Sequence, residues 1–175
     1  MDGDADKMGS EQAGVESEAI DRSPPITVFL SGESFFRSAQ YLRNGLETKE
    51  LRLRFEMPAY YLYSHALELT LKAFLRCKGV PSNHLRSHKF GHKLQVLWDA
   101  CVAEGLCSHP VTNAFIKQAV ELLDPFATDF EFRYVRIGFK QLPTLDAVEN
   151  AVADLLAAVR PHCEASVSGP IPDRG

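Results

Sequence analysis

Four residue types that can handle a phosphate or a proton converge on one stretch of this chain. Glu68, Lys72 and Arg76 recur every four residues, which places them one above another on a helix. His65 and Ser64 fall beside them, and His92 follows a glycine further on. A lysine and an arginine on one helical face can hold a phosphate, a carboxylate among them can orient either cation, and a histidine can accept a proton near neutral pH. From Glu68 to Asp99 the chain carries Lys72, Arg76, Lys78, Arg86, Lys89 and Lys93 and no carboxylate in between, a one-sided run that suits a polyanionic partner.

The chemistry rests on a helix that reads YYLYSHALELTLKAFL. At 100° per residue, Tyr61, Ser64, His65, Glu68, Lys72 and Arg76 occupy an arc of about 120°, and only Thr70 interrupts the apolar remainder. A helix so apolar is central in its domain, and its polar arc is either a solvent edge or the lining of a groove. Glu68 and Lys72 are in the favourable order for a helical ion pair. The connector after it, with His84, Arg86, His88 and Lys89, is either a solvated loop or one positive surface continuous with Lys72 and Arg76. His84, His88 and His92 recur every four residues, but Gly79, Pro81 and Gly91 break any helix that would align them, so no metal site is read there. His92 opens the next helix, with its ring near the end of the preceding one. A helix N-terminus disfavours a charged imidazole, which suits either a general base or a structural cap.

The remaining elements supply the frame. At 175 residues and 45% hydrophobic composition, the chain fits one domain with a single core. Residues 1–25 carry seven acids against Lys7 and Arg22 and no apolar run, the composition of a disordered acidic tail. Removing that tail's −5 from the whole-chain −4 leaves a body of +1, so the acidic balance belongs to the tail. A first helix over 32–46, capped by Ser31 with Glu33 in its first turn, carries Phe35, Ala39, Leu42 and Leu46. The central helix runs from Pro58 to a left-handed stop at Gly79. A third begins at Gly91-His92 and ends at Gly105; a fourth begins at Pro110, and Pro125 ends or kinks it. A fifth opens at Thr144, carries Leu145, Val148, Val152, Leu155, Leu156 and Val159, and stops at Pro161. Between the last two lies DFEFRYVRIGFKQLP, where Phe130, Phe132 and Tyr134 alternate with Glu131 and Arg133 in the period of an extended strand. The linker ETKELRLRFEM over 47–57 reads equally as a loop or as helical turns. The fold class is therefore all-α: an up-and-down bundle of four to five helices with one extended aromatic segment between the last two, over residues 26–163, and a disordered tail over 164–175.

No run approaches the roughly 20 apolar residues of a membrane span, and the acidic start lacks the features of a signal peptide, so a cytoplasmic protein with no membrane partner is expected. Cys77, Cys101, Cys107 and Cys163 form no CxxC pair and read as reduced thiols.

The pairing of HALELTLKAFLRCKG with a following GHKLQVLWDAC resembles the HEPN superfamily of helical bundles, in which an E-L-x-L-K helix precedes a G-H-[DK]-L helix. The resemblance covers residues 57–104. It implies either a metal-independent endoribonuclease of toxin or phage-defence type, or a non-catalytic module that binds a nucleotide or partner protein. It also implies a dimer with the groove between subunits, and no cofactor. Catalytic members carry an arginine followed by a polar residue and, after four to six intervening residues, a histidine. Arg86-Ser87 and His92 in RSHKFGH match that spacing, although the family's motif usually begins a later helix. On this reading His92 accepts the ribose 2′-hydroxyl proton, and Arg86 or Arg133 stabilises charge on the phosphate. Lys72, Arg76, Lys89 and Arg136 hold the RNA or nucleotide backbone, and Glu68, Lys72 and His65 form a structural polar network.

Overall fold

The computed structural model describes residues 24–52, 56–106, 110–128 and 142–167, and every regular element among them is helical. The helices are α1 (Pro25–Glu47), α2 (Met57–Cys77), α3 (Ser82–Arg86), α4 (Leu94–Ala103), α5 (Pro110–Thr128) and α6 (Leu145–Ala165). The 1–23 part of the acidic tail, the aromatic segment over 129–141, Cys107 and residues 168–175 lie outside the described residues.

The apolar character of α2 is answered by its position. It packs against α1, α4 and α6, while α5 closes the bundle against α4 and α6. Tyr63, Ala66, Leu67, Leu71, Ala73, Phe74 and Leu75 are buried along it, joined by Phe29 and Phe36 of α1, Leu97 and Trp98 of α4, and Leu155 and Val159 of α6. Each fully buried leucine or phenylalanine contributes about 2 kcal/mol of transfer free energy, so this is where the fold's stability concentrates. Thr70, the exception on the apolar side, is satisfied locally: its hydroxyl donates to the Ala66 carbonyl at 2.7 Å. Helix α1 approaches α2 at Gly32, where a Cβ would stand 3.0 Å from Thr70 Oγ1 and 3.3 Å from both the Ala66 carbonyl and Leu69 Cβ.

Several expected boundaries move. Helix α1 starts at Pro25, well before residue 32, because Pro24 is extended (ψ 152°) and Pro25 takes the first helical position, where its fixed φ fits and its missing N–H costs nothing. Ser31 is therefore an interior residue whose hydroxyl donates back to the Thr27 carbonyl at 3.1 Å, not a cap. Glu33, no longer in a first turn, instead accepts from Arg37 and from Arg160 of α6, at 3.3 and 2.9 Å. The connector after α2 contains a turn of helix, α3, and is pinned by buried Leu85 and Phe90. Gly79, at φ 85°, ends α2 as expected.

Helix α4 begins at Leu94 with Lys93 as its cap residue, so His92 precedes the helix. Its first amide group to find a side chain is that of Gln95, which donates to Asp124 Oδ1 of α5 at 3.0 Å. Helix α5 passes through Pro125 to Thr128 with Phe126 buried, and α6 passes through Pro161 to Ala165, four residues beyond the expected stop. In both, side chains beyond the proline belong to the core: Cys163 is fully buried, and that packing outweighs the one lost backbone bond. The start of α6 falls at Thr144 as expected, and Thr144 caps it, accepting from the Ala147 amide at 3.3 Å.

Candidate functional site

The polar arc of α2 is organised by Glu68. Its side chain is 6% exposed and its two oxygens are divided among three basic partners. Lys72 Nζ donates to Oε1 at 2.6 Å, as the four-residue spacing requires. His92 Nδ1 lies 3.0 Å from Oε2 and His65 Nδ1 lies 3.5 Å from the same oxygen. Burial alone would raise the carboxyl group's pKa; bonding from His65, the charge and bond of Lys72, and the bond from His92 together overcome it and hold Glu68 at about 2. An ionised carboxylate can only accept, so the proton of the His92 contact sits on Nδ1. Nε2 is then the ring's basic nitrogen in the neutral tautomer, and the His92 side chain is 44% exposed.

The elements explain this placement. Glu68 is fixed on the most buried helix, and Gly91 at φ 38° turns the chain so that His92 meets the middle of α2 rather than its C-terminal end, where sequence spacing placed it. His65 is held by rings: Phe35 of α1 meets it edge-on with centroids 4.4 Å apart, and Tyr61 stacks parallel at 6.1 Å. Lys72 is 13% exposed and committed to Glu68. Arg76 is half-buried one turn further along, its Nη1 3.5 Å from the Val80 carbonyl. Glu68, Lys72, His65 and His92 are thus brought together.

The connector residues lie outward. Arg86, His88 and Lys89 are exposed, with Lys89 Nζ 5.5 Å from the Phe90 ring centroid and His84 packed edge-on against the same ring at 5.2 Å. Arg86 ends α3, six residues before His92. Arg133 and Arg136 lie outside the described residues. No group of three or more metal-ligating side chains is arranged for a metal among the described residues, and none of their helices is long and apolar enough to cross a membrane.

A second polar cluster has no counterpart in the sequence reading. Arg43 of α1 reaches Glu47 at 2.7 Å, Glu149 of α6 at 2.7 Å, and Asp146. Glu149 also accepts from Gln40 at 2.9 Å and from the hydroxyl of fully buried Tyr63 at 2.6 Å. Burial favours the neutral carboxyl, but the bonds from Gln40, Tyr63 and Arg43 hold Glu149 below the usual range. Burial and the Glu149 contact push the Tyr63 phenol up. Beside it opens a cavity of about 460 Å³ walled by Arg43, Glu47, Glu56, Tyr60, Pro143 and Asp146. The bonds from Gln40, Arg43 and Tyr63 to Glu149 tie α1, α2 and α6 together. Its one sequence signal was a tyrosine on the buried side of α2, whose hydroxyl needs a partner.

No family model, no curated protein and no solved structure matches this chain.

Proposed function

We propose that this chain is a HEPN-like protein that binds single-stranded RNA at the surface formed by His92 and the 86–89 connector, and cleaves it without a metal. The observation that carries the reading is the Glu68–His92 contact: a buried, ionised carboxylate fixes the tautomer and orientation of a half-exposed imidazole beside an exposed basic connector. His92 Nε2 would take the ribose 2′-hydroxyl proton, and the resulting oxygen would attack the adjacent phosphorus. The P–O5′ bond would break, leaving a 2′,3′-cyclic phosphate on one product and, once the departing oxygen takes a proton from water, a 5′-hydroxyl on the other, while Arg86 stabilises the charge that develops on the phosphate oxygens. Glu68 acts through His92 and is a positioning residue. Lys89 and Arg86 supply the salt-sensitive part of binding. The same reading carries a cytoplasmic location and a dimer in which a second copy completes the groove.

The test is cleavage of a labelled single-stranded RNA in excess chelator by wild type and His92→Ala. Wild type is expected to release cyclic-phosphate ends and His92→Ala to retain RNA without cutting it. Equal cleavage by both proteins would remove His92 as the base.

A second reading has its own support. Both oxygens of Glu68 are occupied and Lys72 is sheltered, so the network also works as a structural clasp that holds the connector onto α2 in a non-catalytic module binding a nucleotide or partner protein. Under that reading His92→Ala lowers thermal stability while RNA affinity stays negligible.

A further inference from the structure

Cys77 is the last residue of α2 and Cys163 lies in the last turns of α6. Their sulfur atoms are 3.4 Å apart, although 86 residues separate them in the chain. Both are free thiols. A disulfide needs the sulfurs at about 2.05 Å, a closing of roughly 1.4 Å between atoms already in van der Waals contact. The two differ in access: Cys163 is fully buried, whereas Cys77 is half-buried at the helix end. Phe74 packs edge-on against His162 at 5.0 Å, with Lys78 Nζ 5.1 Å from the Phe74 ring centroid, so the surrounding helix ends are already docked.

We propose that Cys77 and Cys163 form a peroxide-responsive thiol pair, with Cys77 the residue that meets the oxidant and Cys163 the residue that resolves it into a disulfide. In the first step the Cys77 thiolate attacks one oxygen of hydrogen peroxide. The O–O bond breaks, Cys77 becomes a sulfenic acid, and hydroxide leaves to be protonated to water. In the second step the Cys163 sulfur, giving up its proton, attacks the Cys77 sulfur; the S–O bond breaks and a second water leaves. Two thiols are oxidised by two electrons and one peroxide is reduced to two waters. Burial and the neighbouring Cys77 push the Cys163 thiol up, which keeps it protonated in the resting pair. Cys101 is the internal contrast: it is fully buried and its thiol donates to the Leu71 carbonyl at 3.4 Å. This inference is independent of RNA recognition, since it concerns the ends of α2 and α6.

The test is treatment of the full chain with equimolar hydrogen peroxide, followed by peptide mapping without reductant. The expected result is a Cys77–Cys163 linked pair that has lost two hydrogens, with Cys101 still alkylatable after denaturation, and a thermal midpoint raised by about 10 °C that dithiothreitol reverses. In Cys163→Ser, dimedone should capture Cys77 as sulfenic acid with no link. In Cys77→Ser, Cys163 should remain a thiol at the same peroxide dose. Cys77 and Cys163 both staying alkylatable in the treated wild type would overturn the proposal, as would a link to Cys101 or Cys107 instead.

Discussion

Glu68 decides the chemistry at the scale of single residues. Its folded pKa of about 2 lies below the ordinary 4.5, so the charged form contributes stability above pH 4.5 that is lost as pH falls toward 2. For so buried a group the shift corresponds to about 3 kcal/mol at most. An acid titration of unfolding free energy should show that loss in wild type, and Glu68→Gln should be less stable at pH 7 by about 2 kcal/mol and lack most of the acid-dependent loss. Equal acid sensitivity in the two proteins would place the titrating group elsewhere. The Glu68–Lys72 contact was legible from spacing alone, because i and i+4 on a helix are neighbours whatever the tertiary fold. His92 was legible only as a residue near α2, since Gly91 and the turn of α3 determine which part of α2 it meets. Arg43 and Glu149, 106 residues apart, share no periodicity, and only the packing of α1 on α6 brings them together.

Among the elements, α2 is the most predictable and the most consequential. Its near-continuous apolar surface required neighbours on several sides, and α1, α4 and α6 supply them. The boundaries were less legible because prolines act by context. Pro25 starts a helix where its ring fits the first turn, while Pro125 and Pro161 sit inside helices whose later residues belong to the core. The tightest helix contact offers a direct check. Gly32→Ala places a methyl 3.0 Å from Thr70 Oγ1, which is itself bound to the α2 backbone, so the variant should lose about 1–3 kcal/mol by denaturant unfolding despite alanine's better helix propensity. A neutral or stabilising Gly32→Ala would mean that α1 and α2 can separate freely there. Leu71→Ala, at the centre of α2, should cost about 2–5 kcal/mol.

For the whole molecule, charge is distributed so that the acidic total hides a nearly neutral body, with exposed Arg86, His88 and Lys89 in the connector that leads to His92. An all-helical bundle was legible from periodicity, and the polar arc of α2 was legible as a place, but whether that place works as a groove or as a clasp depends on chemistry that residue spacing does not encode. If the connector holds RNA by its charges, affinity should fall steeply between 50 and 200 mM salt, by about tenfold for two or so phosphates neutralised, and Arg86→Ala with Lys89→Ala should flatten the slope without unfolding the protein. The most direct measurement is cleavage of single-stranded RNA in excess chelator by wild type and His92→Ala, with the product ends identified. With His92 as the base, wild type leaves 2′,3′-cyclic phosphate ends and the variant leaves the RNA intact. RNA that is cut equally by both proteins, or left whole and unbound by wild type, would contradict that role.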